Sequence, residues 1–196
     1  MKFQDSLDLF GNVDIYVIDQ ILKGRYQQTD TILDAGCGEG RNLKWFYRNN
    51  FTIYGMDLDP ERLKMAKVQY PDFSDNFTEG RLDELPYENE FFQHVLCCAV
   101  LHFAEDQQHF RNMFAELVRV LKPGGSLLIR VASNIGLDGK SPEVQDPKNK
   151  KSAGYFITRN NISEILTNFE LELIEPVKTT NVQDIRAMTT LVFRKK

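Results

Sequence analysis

Residues 32–42, ILDAGCGEGRN, place three glycines, Gly36, Gly38 and Gly40, at alternate positions directly behind an apolar run that ends in Asp34. Glycines so spaced let the backbone approach a ligand closely, and a helix starting near Arg41 and Asn42 turns its positive end toward the same spot. A loop that cradles a dinucleotide pyrophosphate uses the spacing Gly-x-Gly-x-x-Gly. Here the spacing is Gly-x-Gly-x-Gly, and Arg41 stands where the third glycine would fall. Asp34 carries the sharper information, because a carboxylate at the end of the strand repels a pyrophosphate. It suits a ligand that carries an ammonium and a sulfonium and no phosphate.

S-adenosylmethionine is such a ligand. Asp57 closes the next apolar run, TIYGMD, where a carboxylate accepts hydrogen bonds from both hydroxyls of a ribose. That contact would serve a nicotinamide cofactor equally well, so a nicotinamide-dependent oxidoreductase stands as an alternative. Asp59 and Pro60 read as the N-cap and first position of the following helix. Cys37, Cys97 and Cys98 are an odd number without a framework spacing, which fits reduced thiols. Cys97 and Cys98 are adjacent, so they point to opposite faces of a strand and are poorly placed to share a metal; no metal site is expected. In the stretch VKTTNVQDIRAMTT, Lys178, Thr179, Thr180, Asn181 and Gln183 form a polar cluster between two strands, near enough to Arg186 to build a polar pocket. Lys178, Arg186 and Tyr16, the last in an N-terminal helix, are candidates for work on a substrate. A solvated hairpin loop and a packed tyrosine are the competing readings. His94 and His109 have no partner visible in the sequence.

The elements that position these residues alternate. TILD (31–34), TIYGMD (52–57), HVLCCAV (94–100) and SLLIRVA (126–132) are short apolar runs of the kind that form buried strands. Between them, RNLKWFYRN brings Leu43, Phe46 and Tyr47 to one helical face, and DPERLKMAKVQY does so with Leu63, Ala66 and Tyr70. The run EDQQHFRNMFAELVRVLKPGG lines up Phe110, Met113, Phe114, Leu117 and Leu121, then stops at Pro123, Gly124 and Gly125. Strands alternating with such helices predict a doubly wound, Rossmann-like α/β fold: a seven-stranded, mostly parallel sheet with helices on both faces and an antiparallel C-terminal hairpin. One domain over 1–196 is expected. Its parts are an N-terminal capping helix within 1–29 (Val17, Ile18, Ile21 and Leu22 inward), a cofactor-binding core over 30–131, a lid-like loop over 132–156, and a C-terminal helix and hairpin over 157–196. Thr158 is the expected N-cap of that last helix.

Bulk composition narrows the classes. Of 196 residues, 42% are hydrophobic and 27% charged, and no stretch reaches the length of a membrane span. A net charge of −4 argues against a nucleic-acid partner, and the basic tuft KNKK at 148–151 reads as a solvated turn. With acidic residues where an export signal would be apolar, a cytoplasmic protein without a membrane partner is expected.

Four segments in order, LDAGCGEGRN, GMDLDP, GRLDELPYENEFFQHVLCCAVLHF and LKPGGSLLI, resemble the class I S-adenosylmethionine-dependent methyltransferases over about residues 30–131. There is a weaker likeness to the tellurite-resistance and ubiquinone-type small-molecule branches. The resemblance implies that Asp34, Gly36, Cys37, Gly38 and Gly40 surround the methionine part of S-adenosylmethionine, with Arg41 and Asn42 beside them and Arg41 facing the carboxylate. It implies that Asp57 holds the ribose and Leu58 packs on the adenine. Family members often carry Gly-Asp where this chain has Gly80 and Arg81, so the adenine amino contact passes to Asp83 or to the backbone around Leu82. The run CCAVLHF, with Cys98 and His102, would line the methyl-transfer pocket, where His102 contacts the cofactor or removes a proton unless it is merely packed. The implied function is methyl transfer from S-adenosylmethionine to a small molecule, leaving S-adenosylhomocysteine. A non-catalytic cofactor-binding module of the same fold is the alternative.

Overall fold

In-line apolar runs and helical stripes fold as expected into a mixed sheet with helices on both faces. A computed structural model describes residues 3–144 and 152–196; the KNKK tuft lies outside the described residues. The strands are β1 (Thr31–Ala35), β2 (Thr52–Asp57), β3 (Phe77–Glu79), β4 (Phe92–Cys98), β5 (Leu121–Ser133), β6 (Leu171–Leu173), β7 (Lys178–Val182) and β8 (Arg186–Lys195). The helices are α1 (Phe3–Phe10), α2 (Ile15–Leu22), α3 (Lys44–Arg48), α4 (Pro60–Gln69), α5 (Gln107–Arg119) and α6 (Arg159–Asn168).

The sheet runs β3-β2-β1-β4-β5-β8, with β6 and β7 both on the outer edge of β8. The first five strands are mutually parallel, while β8 is antiparallel to β5, β6 and β7. There are therefore seven strand positions, the last shared by two short strands. Lys178–Val182, expected as loop, is one of them: Thr179 and Thr180 pair with Thr189 and Met188, and β-branched residues suit a pleated edge. The chain reverses its direction of travel across the sheet between β1 and β4, which puts the crevice for a ligand at their carboxyl ends.

Alternation along the central strands divides the core. Leu33, Val95, Cys97, Leu127 and Ile129 face α5 and α6, with Phe110, Phe114 and Ile162. Ile32, Leu96, Cys98 and Leu128 face the other way, with Val17, Phe46, Leu63 and Ala66. Cys97 and Cys98 thus lie in different clusters, as a strand's period of two requires. Burial of side chains of this size stabilises by about 1.5–3 kcal/mol each before entropy is charged.

Local signals act where they were read. The Asp59 carboxylate accepts from the N–H groups of Glu61 and Arg62 at the start of α4, and Thr158 with Asn161 forms a capping box on α6. Three expectations change. The N-terminal segment holds two helices. On α2, Leu22 is 77% exposed whereas Gln20 is buried, its amide bonded to Asp19 and Arg25; a satisfied amide displaced the apolar side chain. The helix after the glycine loop begins as a 3-10 turn over Arg41–Leu43, and α3 is only a little over one turn long.

Candidate active site

At the crevice the glycine loop is pinned from three sides. The N–H groups of Gly36 and Cys37 donate to the Met56 carbonyl of β2 at 2.8 and 2.9 Å. The Gly38 N–H donates to Asp57 Oδ2 at 2.7 Å, and Tyr70 Oη donates to the Gly40 carbonyl at 2.7 Å. Gly36 and Gly40 both have φ +80°, and a Cβ on either would meet a neighbour: Val100 Cγ2 at 2.3 Å or Tyr70 Cε2 at 2.6 Å. Only glycine meets both demands.

Beneath the loop, Asp34 is fully buried and neither carboxylate oxygen has a hydrogen-bond partner. Burial pushes its carboxyl up to about 7, against the pull of the nearby Arg41 guanidinium. Arg41 itself donates to the Asn12 carbonyl at 2.8 Å and stands 3.6 Å from Asp14. Asn42 accepts from the Asp14 N–H at 3.0 Å. Asp14 also caps α2 through the Tyr16 N–H and takes a hydrogen bond from Arg130 Nη1 at 3.1 Å. This knot, the buried Asp14 and Asn42 with the partly exposed Arg41 and Arg130, joins α2 to β5, and sequence reading missed both Asp14 and Arg130. A signal existed in the lone arginine inside the apolar strand SLLIRVA.

Past β2, Leu58 is 61% exposed, an apolar side chain open beside Asp57. Leu82 is buried. Asp83 is gripped by Arg81 through two hydrogen bonds of 2.9 and 3.0 Å, which hold its carboxyl below the usual carboxylate range. Past β4, Ala99 adopts φ +63°, a conformation rarely taken by a residue with a Cβ, and its N–H donates to the Arg130 carbonyl at 2.7 Å. That bend turns Val100 onto Gly36. His102 is buried in the 3-10 turn Leu101–Phe103, where Nδ1 accepts from the Ala132 N–H at 3.4 Å and its carbonyl receives the Gly154 and Tyr155 N–H groups. It is covered by chain, with its ring against Phe103 at 4.4 Å. Burial raises the thiols of Cys37, Cys97 and Cys98, so none is a thiolate near neutrality.

The polar stretch contributes unequally. Tyr16 Oη lies 2.7 Å from Thr180 Oγ1, linking α2 to β7. Lys178 is committed to Asp19 at 3.0 Å and Glu175 at 3.4 Å. Arg186 is exposed where β8 begins, at the same end of the sheet as the crevice. His94 and His109 do have partners: His94 bridges Asp30 and Ser126 at the amino ends of the strands, and His109 lies 3.7 Å from Asp83. Among the described residues, no group of three or more His, Cys, Asp or Glu side chains is placed to hold a metal.

Residues 33–129, from the glycine loop to β5, match the methyltransferase domain family. That domain is of the class I S-adenosylmethionine-dependent methyltransferase family. Over 110 residues the chain is 31% identical to a phthiotriol/phenolphthiotriol dimycocerosates methyltransferase of Mycobacterium leprae, an alignment covering 54% of the chain and 40% of the relative. It is 30% identical over 122 residues to an uncharacterized methyltransferase, YodH, of Bacillus subtilis, covering 61% and 48%. The chain thus spans less than half the length of these relatives. Among solved structures, a methyltransferase of Methanosarcina mazei superposes with a TM-score of 0.70 at 20% identity, covering 89% of this chain and 96% of that one. A TehB-like methyltransferase of Corynebacterium glutamicum gives 0.64 at 22%, covering 98% and 94%. These structures share the fold.

Proposed function

We propose that this chain transfers the methyl group of S-adenosylmethionine to a small-molecule acceptor. The observation that carries the reading is Asp34: a buried carboxylate, both oxygens unpartnered, under a loop that only glycines can form. Such an orphan costs stability unless a ligand completes it, and an ammonium group does so without the repulsion a pyrophosphate would bring. That chemistry fits the methionine end of the cofactor and opposes the nicotinamide alternative. The named relatives, which include a methyltransferase acting on phthiotriol-type compounds, support a small-molecule acceptor.

In this reading Asp34 and the Gly36–Gly40 loop would hold the methionine part, with Arg41 and Asn42 flanking it and Asp57 receiving the ribose hydroxyls. Leu58 would cover the adenine. Because Arg81 occupies Asp83, the backbone at Leu82 is the better partner for the adenine amino group. When bound, the cofactor supplies an electrophilic methyl on a sulfonium. The chain's own task is to fix the acceptor in line and exclude water, effects worth up to about 7–11 kcal/mol in well-oriented cases. The strained Ala99 and the Val100 it aims place the β4 end beside the loop. A general base enters only for an acceptor that must lose a proton, and the buried His102 is the nearest imidazole to that segment.

Calorimetry with S-adenosylmethionine and S-adenosylhomocysteine tests the cofactor, and a homocysteine-release screen of acceptors tests turnover. Micromolar binding with acceptor-dependent turnover is expected. No binding at millimolar ligand defeats the reading, and binding without turnover across the screen would favour the non-catalytic module.

A further inference from the structure

On the face of β5 and β8 that α2 covers, Arg130 and Thr190 stand directly opposite each other in the ladder, so their side chains are immediate neighbours. Both carry a buried polar atom without a partner, Arg130 Nε and Thr190 Oγ1, and Thr190 is 98% buried by its 2% exposure. The rest of the guanidinium is held in place: Nη1 donates to Asp14 at 3.1 Å, and the Tyr16 ring lies 5.8 Å from its central carbon. What is left is the guanidinium Nε on one strand and a hydroxyl on the residue paired with it, each buried and able to donate. An oxyanion with two oxygens satisfies such a pair, and arginine's planar fork is suited to it.

The cations near this point share carboxylates. Arg41 and Arg130 share one carboxylate, that of Asp14. Lys23, Arg25 and Lys178 share two, those of Asp19 and Glu175. Arg186, exposed at the same end of β8, has no ion pair with a described residue. Asp34, which interacts with Arg41, and Asp184, two residues before Arg186, offset part of this positive charge. Arg130 is separated from Asp34 by β4 and lies on the far side of the crevice from Asp57. The glycine loop and Arg41 are nearer to the place where the cofactor's own carboxylate would lie.

We propose that the Nε edge of Arg130 and the Thr190 hydroxyl form an anion subsite that anchors a carboxylate carried by the methyl acceptor. The assignment rests on the methyltransferase reading above. Tyr16 and Thr180 flank the subsite, their mutual hydrogen bond tying α2 to β7 beside it. Pairing with a charged group is worth about 1.5–3 kcal/mol, which sets a preference of about tenfold or more for an anion over its neutral isostere.

The test uses the full chain saturated with S-adenosylhomocysteine, titrated calorimetrically with benzoate, benzamide and inorganic phosphate. Benzoate should bind about tenfold tighter than benzamide, and Arg130→Gln should erase that preference while S-adenosylhomocysteine affinity stays within about threefold. Arg130→Lys, which keeps the charge beside Asp14, and Thr190→Val, which keeps the shape, should each weaken benzoate binding partially in a folded protein. Equal binding of benzoate and benzamide, no benzoate binding, or a preference that survives Arg130→Gln overturns the subsite. A parallel, about tenfold loss of S-adenosylhomocysteine affinity in Arg130→Gln also overturns it, assigning the edge to the cofactor's own carboxylate. Phosphate binding more tightly than benzoate replaces the carboxylate with a phosphate head group. Failure of the unsubstituted protein to bind S-adenosylhomocysteine strikes the underlying reading instead.

Discussion

The backbone N–H of Gly38 donates to the carboxylate of Asp57 across 2.7 Å, so the tip of the glycine loop hangs from the end of the neighbouring strand. The other oxygen of Asp57 accepts from the Asp59 N–H at 3.0 Å and steadies the entry to α4. One carboxylate thus shapes the loop and, in the proposed complex, also receives the ribose. Asp57→Ala should lower affinity for S-adenosylhomocysteine by about 100-fold, since both a charged hydrogen-bond acceptor and the loop's support are lost. Asp57→Asn, which keeps an acceptor oxygen, should lose less. Calorimetry on both variants checks the order.

In the proposed complex, Asp34 makes binding depend on pH. Its folded-state carboxyl is raised to about 7 by burial, with Asp57 and Asp14 pushing the same way and Arg41 and Asn42 opposing. The stability this group contributes is fully present below the ordinary carboxylate pKa of about 4 and is lost as pH rises to about 7. Pairing with an ammonium needs the ionised form. Affinity for S-adenosylhomocysteine should therefore rise with pH up to about 7, approaching tenfold per unit, and then level off. Asp34→Asn should bind more weakly and flatten the profile, and a wild-type profile flat between pH 5 and 8 would contradict the role.

His94 acts in the opposite sense. Its ring is bonded to Ser126 Oγ at 2.7 Å and Asp30 Oδ2 at 2.9 Å, and burial lowers its pKa despite Asp30. The unfolded chain takes up a proton near pH 6.5 that the native ring resists, so this contribution is present above that value and lost as pH falls below it. Thermal unfolding of His94→Gln should show lower stability than wild type at pH 7.5 and a gap that narrows toward pH 5. A gap independent of pH would refute the titration.

Gly36 is constrained twice, by φ +80° and by Val100 at 2.3 Å from any added Cβ. Gly36→Ala should destabilise by about 1–3 kcal/mol and reduce cofactor affinity as the β4 end is displaced. Adding Val100→Ala should relieve the clash but not the backbone strain, giving partial recovery in a denaturant melt. Full recovery would show that φ carries no cost there.

Much of the molecule was legible along the chain. Apolar runs of strand length separated by helical stripes implied the doubly wound sheet, because each parallel connection needs a crossover. The loop glycines with Asp34 and Asp57 marked the crevice, because ligand chemistry at a strand end depends on a few consecutive residues. The caps Asp59 and Thr158 were readable for the same reason: their partners lie within three positions. Less visible were contacts whose members are distant in sequence. Asp14 meets Arg130 from 116 positions away, and Tyr16 meets Thr180 across 164.

The sequence by itself determined the class of fold, the place of the crevice and the kind of cofactor it suits, since these follow from local periodicity and from charge at the end of a strand. Tertiary structure alone decided that Asp34 is an orphan, that Ala99 is strained so that Val100 covers Gly36, and that Asp14 joins Arg41 to Arg130. It also paired Arg130 with Thr190 across the ladder, each with a buried polar atom left without a partner. Burial and pairing across separate strands are properties of packing, and no linear pattern of residue types encodes them.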